Sequence, residues 1–264
     1  MNNTVLITGA TSGFGQSCAR RFSENSWNLV LIGRRTDRLE TLKAELTQKS
    51  QVHAIPLDVR DRDSVTARLQ SLPEPFRNID VLINSAGLAL GLLPAHQTDL
   101  DDWDTMVDTN IKGLMYCTRS LLPGMVERNR GHIINMGSVA AKYPYPGGNV
   151  YGATKAFVGQ FSRNLRADLL GTRIRVTNIE PGMAETEFSI VRFKGDASKA
   201  GSIYQNTEPL TGGDIAEIAY FVATLPEHVN INSLEVMPTC QAWGPLAVHR
   251  EKQTDDSQGT PSSR

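Results

Sequence analysis

The chain has 264 residues, of which 40% are hydrophobic, 21% charged and 6% aromatic; these are ordinary values for a globular protein and exclude gross disorder. Lys and Arg number 27 against 28 Asp and Glu, a net charge of −1, so the basic surplus of a nucleic-acid binder is missing and no nucleic-acid partner is expected. Cys18, Cys117 and Cys240 are far apart, and the five histidines are scattered without metal-ligand spacing, so neither a disulfide framework nor a metal site is expected.

The first apolar run, Val5-Leu6-Ile7, is too short for a signal segment or a membrane span. The expectation is a cytoplasmic protein with no membrane partner, whose first strand is this run. Thr8-Gly9-Ala10-Thr11-Ser12-Gly13-Phe14-Gly15 follows directly and opens a helical pattern over 13–24. Gly9 lets the chain turn, while Gly13 and Gly15 let the backbone approach a pyrophosphate and the helix pack on the sheet. The helix N-terminus offers free N–H groups and a positive dipole end to the anion. The spacing Gly-x-x-x-Gly-x-Gly in a strand–turn–helix context predicts a dinucleotide cradle.

Leu29-Val30-Leu31-Ile32 is the second strand and 36–48 the second helix. At the strand end, where a carboxylate would accept from the ribose 2′-OH of NAD, the chain reads Gly33-Arg34-Arg35. One or both guanidiniums can pair with a 2′-phosphate, which predicts NADP as cofactor. The third strand, Val52 to Leu57, closes on Asp58-Val59, where Asp58 can accept from the adenine amino group. A helix over 61–71 and a strand at Val81-Leu82-Ile83 follow, the latter closing on Asn84-Ser85-Ala86-Gly87, whose small residues let a cofactor lie close.

The helix over 102–127 carries an apolar stripe interrupted by Asn110. A polar amide on a buried face needs partners, and Asn110 can hold a water that links Lys155 to solvent. Ile133-Ile134 is the fifth strand, and Ser138 lies just beyond it, at the carboxyl end where open α/β sheets place ligands; its hydroxyl can orient a substrate oxygen. The helix over 150–170 places Tyr151 and Lys155 four residues apart on one face. A nearby cation favours phenolate, so Lys155 can tune Tyr151 into a general acid/base. Ile174 to Ile179 is the sixth strand, 213–224 the last helix and Leu234 to Met237 the seventh strand. Segments 139–149 and 181–211 fit neither pattern, and 184–211 reads as a lid. The polar tail, 251–264, is expected to be disordered. Continuous apolar strands alternating with amphipathic helices make residues 1–250 one doubly wound α/β domain.

Taken together, these motifs resemble the short-chain dehydrogenase/reductase family: Thr8-Gly9-x-x-x-Gly13-x-Gly15, Asp58-Val59, Asn84-x-Ala86-Gly87, Asn110, Ser138, Tyr151-x-x-x-Lys155 and Pro181-Gly182, in the family's order and spacing. The resemblance implies a Rossmann fold with a seven-stranded parallel sheet and a catalytic tetrad of Asn110, Ser138, Tyr151 and Lys155. It also implies a cofactor site over Gly9 to Gly15, with Thr186 on the nicotinamide amide, and a homotetramer built on the 102–127 and 150–170 helices. Ser85 and Phe14 are small departures from the family's usual residues. Within the family the chain is similar to NADP-dependent 3-hydroxy acid dehydrogenases acting on serine or 3-hydroxypropionate, and to a branch that reduces sulfoacetaldehyde. Either substrate is a small anionic hydroxy compound or aldehyde, and Arg192 in the lid segment is the candidate clamp for its anionic head. A 3-oxoacyl-thioester or steroid reductase, and a non-catalytic NADP-sensing protein, are the competing readings.

Overall fold

The structure, a computed structural model, describes residues 2–244 and 248–250; the expected disordered tail lies outside them. Seven parallel strands form one sheet in the order β3-β2-β1-β4-β5-β6-β7. They are β1 Thr4–Thr8, β2 Asn28–Gly33, β3 Val52–Pro56, β4 Val81–Asn84, β5 Gly131–Met136, β6 Ile174–Pro181 and β7 Ser233–Val236. Between them run α1 Gly13–Ser23, α2 Thr36–Leu46, α3 Arg62–Gln70, α4 Leu100–Val107, α5 Leu114–Glu127, α6 Asn149–Asp168, α7 Glu187–Arg192, α8 Ala197–Ser202 and α9 Gly212–Thr224.

Strand periodicity explains the layering. Val5 and Ile7 face one side of β1 and pack with Cys18, Phe22, Leu39 and Ile215 from α1, α2 and α9. Leu6 faces the other side and packs with Val65, Leu69, Cys117, Leu121 and Leu165 from α3, α5 and α6. Both sides are covered, so the strands are apolar throughout, as in all-parallel sheets. The strand order reverses between β1 and β4, and Thr8 stitches this point: its Oγ1 accepts from the backbone N–H of Ser85 (3.1 Å) and Ala86 (3.0 Å). Side chains and ligands gather at the carboxyl ends on either side of such a reversal.

The predicted elements are present, with ends shifted by one or two residues. Two findings differ in kind. The single helix expected over 102–127 begins at Leu100 and is divided by a π-type turn at Asp108–Gly113. The lid segment is not irregular throughout, because α7 and α8 lie within it. Each is too short to show helical periodicity, and each is held by a side-chain cap: Thr186 accepts from Phe188 N, and Asp196 from Lys199 N.

Candidate active site

A cleft with a cavity volume of about 280 Å³ opens at the carboxyl ends of β1, β2, β4 and β5. The expected cradle forms one wall through Gly9, Thr11, Ser12, Gly13 and Phe14. Gly9 has φ +69°, and a Cβ there would sit 2.9 Å from the Ala86 backbone. Gly13 has φ +51° and faces Thr186. Ser12 caps α1 without a side-chain hydrogen bond, and no acidic residue occupies the first turn, so this N-terminus stays electropositive. Gly15 lies behind the wall: a Cβ there would meet the Gly9 carbonyl oxygen at 2.4 Å, so it serves the packing of helix on turn.

Arg34, Arg35, Asp58 and Val59 line the far end, and Ala86, Gly87, Pro181, Gly182 and Thr186 line the floor and lid side. The Asp58 carboxylate is held by Arg60, with Nε at 3.0 Å and Nη2 at 2.6 Å. Burial opposes its charge, but the Arg60 hydrogen bonds hold it below the ordinary carboxylate range. A glycine-lined trough, an uncapped helix end and a basic rim fit a dinucleotide phosphate. Thr109 Oγ1, on the cleft wall, is buried without a partner and can meet one.

Ser138, Tyr151 and Lys155 converge at the other end of the cleft. Ser138 follows β5, where its Oγ donates to Pro181 O at 3.5 Å and accepts from Ala140 N at 3.1 Å, and Tyr151 stands in the first turn of α6. Burial pushes the Tyr151 phenol up to about 12, while the Arg192 cation and the neighbouring Ser138 hydroxyl pull it down. Burial pushes Lys155 down to about 8, and its Nζ donates to the Met136 carbonyl at 2.7 Å. Two cations flank the phenol: Lys155 Nζ stands 5.8 Å and the Arg192 guanidinium carbon 5.1 Å from the Tyr151 ring centroid.

Besides Gly15, three expected site residues do not line the cleft. Asn84 is 3% exposed and turns into the sheet's other face, where Nδ2 donates to Thr118 Oγ1 and Asn135 Oδ1. The β4 end does border the cleft, but period-two alternation sends this side chain the other way. Asn110 stands in the π-type turn beneath the floor. Its Oδ1 accepts from Leu88 N at 2.9 Å, and its Nδ2 donates to Leu88 O and Thr154 Oγ1. Both amide hydrogens are thus used within the protein and join the β4 loop to α6, while Oδ1 accepts one bond of the two it can. Arg192 lies beside Tyr151 rather than on the cleft wall, among the rings of Tyr145, Tyr151 and Phe188; its Nη2 donates to the Tyr145 hydroxyl at 2.9 Å, and its Nε is buried without a partner.

Sequence reasoning did not single out Tyr145, Phe188, Thr109 or Glu187 as site residues. For Tyr145 there was a signal, the unexplained Tyr143-Pro144-Tyr145-Pro146 segment; the others emerge only from tertiary contacts. Among the described residues no helix is long and apolar enough to cross a membrane.

Comparison with known proteins agrees with this arrangement. The family model for short chain dehydrogenases matches residues 3–196. An NADP-dependent 3-hydroxy acid dehydrogenase of Salmonella typhi is 60% identical over 93% of this chain and 99% of its own length. A sulfoacetaldehyde reductase of Chromohalobacter salexigens is 54% identical over 95% of this chain and 100% of its own length. A serine dehydrogenase solved in a closed form with NADP+ superposes with a TM-score of 0.89 at 57% identity, covering 94% of this chain and 100% of that one. A cleft at the β1/β4 reversal, a serine–tyrosine–lysine group at its reactive end and relatives of this closeness lead to one conclusion: the chain belongs to the short chain dehydrogenase family.

Proposed function

We propose that the protein is an NADP-dependent oxidoreductase that interconverts a short β-hydroxy acid and its semialdehyde or 3-oxo acid, with serine and 3-hydroxypropionate as the substrate type. The observation that carries this reading is Arg192: an unpartnered guanidinium Nε buried beside the Tyr151–Ser138 pair gives a small substrate an anion anchor next to its proton donor. The family resemblance and the 3-hydroxy acid dehydrogenase at 60% identity support the same class.

The nicotinamide supplies or accepts the hydride when bound. Gly9 to Phe14 and the α1 N-terminus would hold its phosphates, the end of β2 at Arg34 would face the 2′-phosphate, and Thr186 would hold the nicotinamide end. Ser138 polarises the substrate oxygen, and Tyr151 donates its proton during reduction or takes it during oxidation. A phenol held at about 12 is protonated at neutral pH, as the acid role requires. Lys155 holds positive charge below the active helix, and Asn110 fixes that helix against the β4 loop. The protein's share is positioning and electrostatics.

The test is a panel of serine, 3-hydroxypropionate, malonic semialdehyde, sulfoacetaldehyde, a neutral short aldehyde and a long-chain oxoacyl ester, compared by kcat/KM. Arg192→Ala is expected to raise KM for the acids by about tenfold or more and to leave the neutral aldehyde within about twofold. Tyr151→Phe is expected to remove turnover while NADP still binds. Equal effects of Arg192→Ala on acids and neutral aldehyde would reject the clamp. A preference for sulfoacetaldehyde would establish the second reading, which the relative at 54% identity favours. We further infer a cytoplasmic homotetramer, on the family resemblance, with light scattering after gel filtration as its measurement.

A further inference from the structure

Arg34 and Arg35 are adjacent at the end of β2, both line the cleft, and either satisfies the spacing for a 2′-phosphate ligand. Their hydrogen bonding separates them. Arg35 Nε donates to Thr11 Oγ1 at 3.3 Å, and its Nη2 reaches both Thr11 O and Thr11 Oγ1 at 3.2 Å. Its Nη1 donates to Glu187 Oε2 at 2.8 Å. A guanidinium has five N–H groups in a fixed fork, and most of the Arg35 fork is already committed. Neither edge remains free for bidentate pairing with a phosphate. Arg34 is exposed at the rim and makes no ion pair or side-chain hydrogen bond among the described residues.

Glu187 is the first residue of α7, and the preceding Thr186 packs over Gly13. Its other oxygen pairs with Arg38 of α2. The lid root is therefore fastened on both sides of the phosphate turn, by Thr186 at Gly13 and by Glu187 at Arg35. A carboxylate held by two arginines that themselves sit on α2 and Thr11 bridges the two walls of the cleft.

We propose that Thr11, Arg35 and Glu187 form a clasp that fastens the lid across the cofactor cleft and retains NADP and NAD alike, while Arg34 alone distinguishes them by their 2′-phosphate. This rests on the NADP reading above. A clasp residue slows release of any dinucleotide lying beneath it; a selector residue changes only the affinity of the phosphorylated one. The Arg35–Glu187 pair is partly exposed, at 39% and 31%, so its strength is that of a half-solvated ion pair rather than a buried one.

The experiment measures equilibrium binding and release rates of NADP and NAD to the full chain by nucleotide fluorescence and calorimetry. The variants are Glu187→Ala, Arg35→Ala, the double variant and Arg34→Ala. Glu187→Ala and Arg35→Ala should each speed release of both nucleotides by about three- to tenfold, with the NADP/NAD affinity ratio held within about twofold. The double variant should release little faster than Glu187→Ala, which already removes the Arg35 pair, whereas Arg35→Ala leaves the Arg38–Glu187 pair in place. Amide exchange across 187–202 should quicken in Glu187→Ala. Arg34→Ala should weaken NADP by about tenfold or more, as for a lost charge-assisted contact, and leave NAD nearly unchanged. A changed NADP/NAD ratio in Glu187→Ala or Arg35→Ala, additive effects in the double variant, or unchanged release would each overturn the clasp. If the wild type does not prefer NADP, the cofactor reading fails instead, and the clasp is judged on release of NAD alone.

Discussion

Lys155 shows what a reactive residue costs the fold. It is 7% exposed, and burial lowers it from the ordinary lysine value 10.5 to about 8. A lysine whose folded pKa lies below its unfolded one binds fewer protons folded than unfolded between those two values. Stability therefore rises with pH across about 8 to 10.5. Tyr151 acts oppositely and later: held at about 12, it keeps its proton while the unfolded chain loses it, so stability falls above the ordinary tyrosine value 10.0. Urea unfolding at pH 7 and pH 10 should show a gain on the order of 2 kcal/mol from Lys155. Lys155→Met should remove that gain, and a variant with the same pH dependence as the wild type would disprove it. The convergence of Tyr151, Ser138 and Lys155 on the cleft was legible in the sequence because helix spacing and strand ends set where these side chains stand. Asn84 and Asn110 were legible as motif positions but their protein partners were not, because which way an amide turns is decided by other elements.

Among the elements, α9 and β6 are joined by an arginine that the sequence gives no reason to notice. Arg175 is 8% exposed in β6, and its Nη1 and Nη2 donate to the Val222 and Ala223 carbonyls at 2.8 Å each. Those carbonyls belong to the last turn of α9, where the helix dipole is negative. Arg175→Met is expected to cost about 2–4 kcal/mol in urea unfolding, since it leaves buried acceptors unpaired, and to leave the KM for cofactor unchanged. A loss under about 0.5 kcal/mol would show that water replaces the guanidinium. The major helices and strands were readable from periodicity. The π-type turn in α4–α5 and the short helices α7 and α8 were not, because one altered turn or six residues leave no periodic trace.

For the molecule as a whole, the substrate end of the sheet is held by charges from three separate segments. Lys142, after β5, donates to Glu180 on β6 at 2.5 Å and to Glu235 on β7 at 2.9 Å. Tyr143 and Trp243 also donate to Glu235, which draws the chain beyond β7 toward the loop that carries Tyr145. Glu180 is 1% exposed, so Lys142→Met would strand a buried carboxylate and should cost about 3 kcal/mol. Adding Glu180→Gln to that variant should recover much of the loss, since it removes the stranded charge. Equal stability of single and double variants, measured by thermal unfolding, would show that the network is only a surface ornament.

Some properties follow from local order alone. Apolar runs of strand length, helices of regular period, a glycine turn after the first strand and a tyrosine four residues before a lysine fix the doubly wound class, the cleft's position and the tyrosine–lysine pair that lines it. They do so because backbone conformation and side-chain direction depend on nearby residues. Tertiary structure decided how each polar group spends its bonds. It committed Arg35 to Glu187, a residue 152 positions away, and left Arg34 at the rim. It also placed Arg192 over Tyr151 and turned Asn84 into the core. Hydrogen bonds and ion pairs are short-ranged and saturable, so the role of a charged or amide side chain is set by which partners the fold brings within about 3 Å, and no spacing along the chain encodes that.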